Sequence, residues 1–128
     1  MIINTPISLG ELIDKISILQ IKKKNIEDIE KQKLINDELT MLDKVLEKVL
    51  GNNSDIAEYL HQLIEINTKL WKIEDNIREC ERQNKFDKEF IELARGVYFT
   101  NDERSKVKLE INKKFGSQII EVKSYKKY

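Results

Sequence analysis

The chain has one cysteine, one proline, four glycines and one histidine in 128 residues, and its 23 basic and 23 acidic side chains leave no net charge. Each scarcity removes a class of protein. Cys80 alone cannot close an internal disulfide, so packing must hold the fold, and a reducing cytoplasm is the expected compartment. With His61 the only histidine, neither a histidine-based metal site nor a nucleophilic triad can be assembled. The few glycines build no phosphate-cradling loop, and no nucleophile elbow or paired CxxC is present. Balanced charge gives no bulk attraction to nucleic acid or to an anionic membrane, so neither is an expected partner; Lys22-Lys23-Lys24 and Lys123, Lys126 and Lys127 read as solvated ends. No apolar run approaches the length of a membrane span, and Met1 to Pro6 lacks the basic and apolar regions of a signal peptide.

What remains is long helical periodicity. Ser8-Leu9-Gly10-Glu11 reads as a capping box opening a helix to about Glu27. That helix is apolar on two sides: Leu12, Ile13, Ile16 and Leu19 on one, Ile18 and Ile21 on the other. It must be either the central helix or part of a subunit interface. A break is expected near Asp28 to Lys31. The second helix carries Ile35, Leu39, Leu42, Leu46 and Val49, widened by Leu34, Met41 and Val45, and stops at Gly51-Asn52-Asn53, with Ser54 or Asp55 capping the third. So short a connection predicts that the second and third helices are antiparallel neighbours. The third helix has a seam from Tyr59 through Leu63, Ile66, Leu70, Ile73 and Ile77 to Cys80. After a turn at Gln83-Asn84-Lys85, Asp87 caps a fourth helix that ends at Gly116, read as continuous with a possible kink at Asn101. The fold class is therefore all-α, an antiparallel bundle of about four helices with a short docked C-terminal tail, one domain over 1–128, the last three residues expected to be loose.

Polar residues interrupt the inward faces. Asn67, Glu74 and Glu81 fall on one line of the third helix inside its apolar sector, and Asn101, Arg104 and Lys108 occupy the middle of the fourth. A carboxylate in such a place needs a cation, a metal or a proton. Pairing of Glu74 or Glu81 with Arg104 or Lys108 is the expected answer, either as a structural network or as a ligand site. Glu11 and Asp14 are spaced like the acidic pairs of helical magnesium-dependent nucleotide hydrolases, which makes magnesium the one cofactor the carboxylates suggest. Such pairs are also common in a chain with 36% charged residues, and no metal ligands are assigned.

Ser8 to Leu19, Leu70-Trp71 with Ile73-Glu74-Asp75 and Ile77-Arg78, Phe90 to Arg95 with Val97-Tyr98, Asn101-Asp102 and Arg104, and Glu121 with Lys123-Ser124-Tyr125 form an ordered series over nearly the whole chain. It resembles a family of small helical bacterial, phage and large-virus proteins, a domain without an assigned activity that is often encoded near glycosyltransferase genes. Gly96 departs from the small side chain common there. The resemblance implies Glu11, Asp14, Lys15, Glu74, Asp75, Arg78, Arg95, Tyr98, Asn101, Asp102 and Arg104 as site residues, and a part in surface-glycan or nucleotide-sugar metabolism. Two functions follow as expectations. One is a non-catalytic accessory or interaction protein, homodimeric through the second face of the first helix and associated with a glycan-biosynthesis enzyme. The other is a small enzyme or ligand-binding protein for a phosphorylated or nucleotide-sugar compound. In it Arg95, Tyr98 and Arg104 hold the anion, and Glu74 and Asp14 are the catalytic candidates, as base or magnesium ligands.

Overall fold

In the computed structural model, which describes residues 1–128, the chain forms α1 (Leu9–Asn25), α2 (Ile29–Leu50), α3 (Ser54–Arg82) and α4 (Lys88–Lys114), with no strand. Each helix starts on a side chain that answers its free amides. Ser8 Oγ accepts from Glu11 N at 3.1 Å, Asp28 Oδ1 from Lys31 N at 2.9 Å, Asn53 Oδ1 from Asp55 N at 2.9 Å and Asp87 Oδ1 from Glu89 N at 3.1 Å. The cap of α3 is thus Asn53, and the first break falls at residues 26–28, slightly before the expected place. Gly51 and Gly116 end α2 and α4 with φ of 61° and 66°, a left-handed turn that glycine enters without strain. α4 runs unbroken through Asn101.

α1 is the central helix and packs against α2, α3 and α4, while α3 also packs against α4. The first apolar face of α1 divides between two clusters: Leu12, Ile16 and Leu19 meet Ile35 and Leu39 of α2, and Ile13 joins Ile56, Leu63, Val107 and Ile111. On the second face Ile21 is buried within the chain, while Ile18 stays partly exposed at the wall of an open groove. The α1–α4 crossing is close. A Cβ on Gly10 would lie 2.6 Å from the Lys108 carbonyl oxygen, so only glycine fits there. Antiparallel register shows in the pairs Gly10 with Asn112 and Asp14 with Arg104 across α1 and α4, and in Ile73 against Gly96 across α3 and α4.

α2 departs from the expectation. Its backbone packs along α1 and not along α3, although Leu46 and Leu50 reach the cluster that α3 helps to form. Only one edge of its wide apolar sector is covered, and Leu34, Met41, Val45 and Val49 stay exposed. The chain presents 9532 Å² to solvent, against about 7,100 Å² for a compact monomer of its mass. Residues 1–7 and the tail contribute to this excess, and α2 contributes an apolar share.

Candidate functional site

The centre of the molecule is charged. Asp14, 1% exposed on α1, accepts from Arg104 through both carboxylate oxygens, Nε to Oδ1 at 2.8 Å and Nη2 to Oδ2. Asn67 of α3 donates from Nδ2 to Asp14 Oδ1 at 2.9 Å and to Ser17 Oγ at 2.8 Å, and Ser17 Oγ donates to the Asp14 carbonyl at 2.6 Å. Lys108 Nζ lies 2.7 Å from Glu11, 3.5 Å from Glu121 and 3.9 Å from Asp14. Lys123 Nζ closes the set at 2.7 Å from Glu121. Three carboxylates, of Glu11, Asp14 and Glu121, thus face three cations, of Arg104, Lys108 and Lys123, and the centre neutralises itself. The hydrogen bond to Asp14 raises the Arg104 pKa further, and the Lys123 hydrogen bond, supported by the Lys108 charge, lowers that of Glu121.

One line on α1 builds this centre: Gly10, Asp14, Ser17 and Ile21 are spaced four, three and four apart and so share a face. Gly10 admits α4, and its N–H donates to Asn112 Oδ1 at 2.7 Å. Periodicity alone does not mark Ser17, Asn112, Glu121 and Lys123 as members of this centre. The readable signal was the glycine, aspartate and serine along a single helical line between two apolar faces.

The sequence placed the buried carboxylate on α3, and the structure corrects this. Of the line Asn67, Glu74 and Glu81, only Asn67 lies inside; Glu74 and Glu81 are exposed, and Arg104 pairs with Asp14. At about 1.5 Å per residue, α1 with 17 residues reaches little more than half the span of α3 with 29 and leaves Glu81 beyond its end, while Glu74 edges an open groove beside Ile18. Glu11 also does not complete the capping box, because its carboxylate goes to Lys108.

The other implied site residues separate. Lys15 pairs with Glu38 of α2 at 3.1 Å, outside the centre. Arg78 lies 3.9 Å from Glu74 as an exposed pair. Arg95 is exposed on α4, 3.4 Å from Glu92 and over the Phe99 ring at 5.6 Å. Tyr98 packs beside Phe99 and Tyr128, and Tyr128 donates to Asp102, so the last residue of the tail touches α4 while remaining largely exposed. Arg95 and Tyr98 thus lie together on α4, but neither lines the grooves at Arg104. No three of the chain's His, Cys, Asp and Glu side chains form a group able to hold a metal ion; the proposed magnesium pair, Glu11 and Asp14, faces Lys108 and Arg104 instead.

Two grooves flank Asn101 and Arg104. One, of about 350 Å³, is walled by Ile18, Leu70 and Trp71 and edged by Asn67, Glu74, Asp75, Asn101 and Arg104. The other, of about 230 Å³, is lined by Asn101, Asp102, Arg104, Ser105, Lys108, Lys123 and Tyr125. Comparison with family models, with curated proteins and with solved structures finds no match.

Proposed function

We propose that the chain is a non-catalytic helical interaction protein that works as a homodimer joined along α2. The outer face of α2 carries this reading: Leu34, Met41, Val45 and Val49 are 69, 44, 47 and 61% exposed on one side of a 22-residue helix. That helix is about 33 Å long, enough to form one side of an interface of about 800 Å² per partner. A second copy laid head to tail can set Asp37 of each chain against Lys44 of the other while the apolar side chains meet, with the remaining exposed charges of α2 of both signs at both ends. The family resemblance supports a place beside enzymes of surface-glycan or nucleotide-sugar metabolism. Sedimentation equilibrium tests the dimer: the expected mass is about twice 15.2 kDa for the wild type and a monomer for Val45→Glu. A wild-type monomer at high micromolar concentration would overturn it.

The groove containing Lys108 and Lys123 favours a second reading, a site for a phosphorylated compound. Glu121, half-exposed on the tail, stands between these two cations where an anion would sit. Displacement of the Glu121 carboxylate by inorganic phosphate or a nucleotide sugar would raise the melting temperature at millimolar ligand, and no rise would remove this reading.

A further inference from the structure

We propose that the groove under Trp71 binds a small organic ammonium ion, an alkyl chain carrying a protonated primary amine. The groove is distinct from the α2 face, so this inference stands or falls independently of the dimer.

The first observation is the orientation of Asn67. Asp14 can only accept, so the amide nitrogen of Asn67 must face it, and both amide hydrogens are used on Asp14 and Ser17. Asn67 Oδ1 then accepts no hydrogen bond, although the residue is 6% exposed. It is not among the fully enclosed unpartnered atoms, where only Thr100 Oγ1 is found, and the surface that Asn67 reaches is this groove. A nearly buried residue thus presents a bare acceptor to the opening.

The second observation is charge. Glu74 and Asp75 edge the groove, while the positive charge of Arg104 is answered by Asp14 from behind. An anion entering here meets two carboxylates and no free cation. The only competitor for Glu74 is Arg78, 3.9 Å away with both side chains more than half exposed, a solvent-screened pair that an incoming cation displaces readily.

The third observation selects among cations. A divalent ion asks for a cluster of oxygen ligands, and no three acidic side chains gather here, whereas the wall of Ile18, Leu70 and Trp71 offers apolar surface that a bare ion leaves unused. An alkylammonium makes use of both parts: its head donates to the Asn67 oxygen and to the carboxylates, and its chain lies on Leu70 and the indole face, where an aromatic ring also attracts the positive charge.

Trp71 is the only tryptophan of the chain, so its fluorescence reports on this groove alone. Full-length protein is titrated with pentylammonium, pentanol and pentanoate. The expected result is a saturable emission change with pentylammonium in the millimolar range, weakened at least tenfold in the double variant Glu74→Gln, Asp75→Asn, and no saturation with the alcohol or the acid. Both substituted residues are exposed, and unchanged circular dichroism and melting temperature establish that the variant folds. The proposal is overturned if pentylammonium produces no saturable change, if pentanol or pentanoate saturates equally, or if the folded variant binds as tightly as the wild type.

Discussion

The centre between α1 and α4 and the outer face of α2 reverse the usual order. Charges stand inside, where Asp14 is 1% exposed, and hydrophobic side chains stand outside, where Leu34 is 69% exposed. The difference lies in what each region faces. Every charge of the centre meets an opposite one within the chain, so ionisation is compatible with burial. The outer strip of α2 meets nothing in the chain, because α1 can cover only one edge of it. The first arrangement stabilises one fold; the second leaves apolar area available for contact.

The sharpest way to break the comparison is to remove the buried carboxylate. Asp14→Ala leaves Arg104 unanswered in a half-buried place and deprives Asn67 of an acceptor, and about 3–5 kcal/mol of stability is expected to disappear in urea unfolding. The double variant Asp14→Leu, Arg104→Met should recover much of that loss, because the cost comes from the orphaned charge and not from the missing pair. Gly10→Ala is next: its methyl group would meet the Lys108 carbonyl oxygen at 2.6 Å and the Asn112 side chain at 3.0 Å, and a destabilisation of about 1–3 kcal/mol by the same measurement is expected. By contrast, Met41→Glu on the outer strip should change monomer stability by no more than about 0.5 kcal/mol while abolishing self-association in light scattering.

The smallest effects belong to the tail. The Tyr128 phenol is pushed up to about 12 by its hydrogen bond to Asp102, so the folded state holds this proton more tightly than the unfolded one. The contribution of this contact is complete below the free tyrosine value of about 10 and is lost as pH rises through the higher one. Glu121 behaves oppositely. Its pKa is lowered by the Lys123 hydrogen bond, so its contribution is present above the ordinary glutamate range and is lost as pH falls through the lowered value. Spectrophotometric titration should show one late-ionising tyrosine, absent from Tyr128→Phe.

Much of the architecture was readable in the chain because caps and periodicity are local. Ser8 and Asp87 cap where expected, Gly51 and Gly116 terminate helices, and the polar middle of α4 does point inward. The site was less readable because periodicity tells which residues share a face but not how far the covering helix extends. Glu74 shares a line with the buried Asn67, yet lies exposed at the rim of a groove. Asp14 reads from the sequence as half of an acidic pair with Glu11, and only the close approach of α4 at Gly10, one turn earlier, shows it buried against Arg104. α2 shows the same limit: its full apolar sector was visible, and only the packing reveals which part of it α1 covers.

Hydrogen exchange followed across a dilution series tests the contrast between these regions most directly, because it reads α2 and the charged centre in the same sample. Protection of the α2 amides is expected to fall as the protein is diluted, while the amides around Asp14 and Arg104 exchange at a rate independent of concentration. If α2 exchanges identically at every concentration, its outer face has no second copy to meet and the account is contradicted.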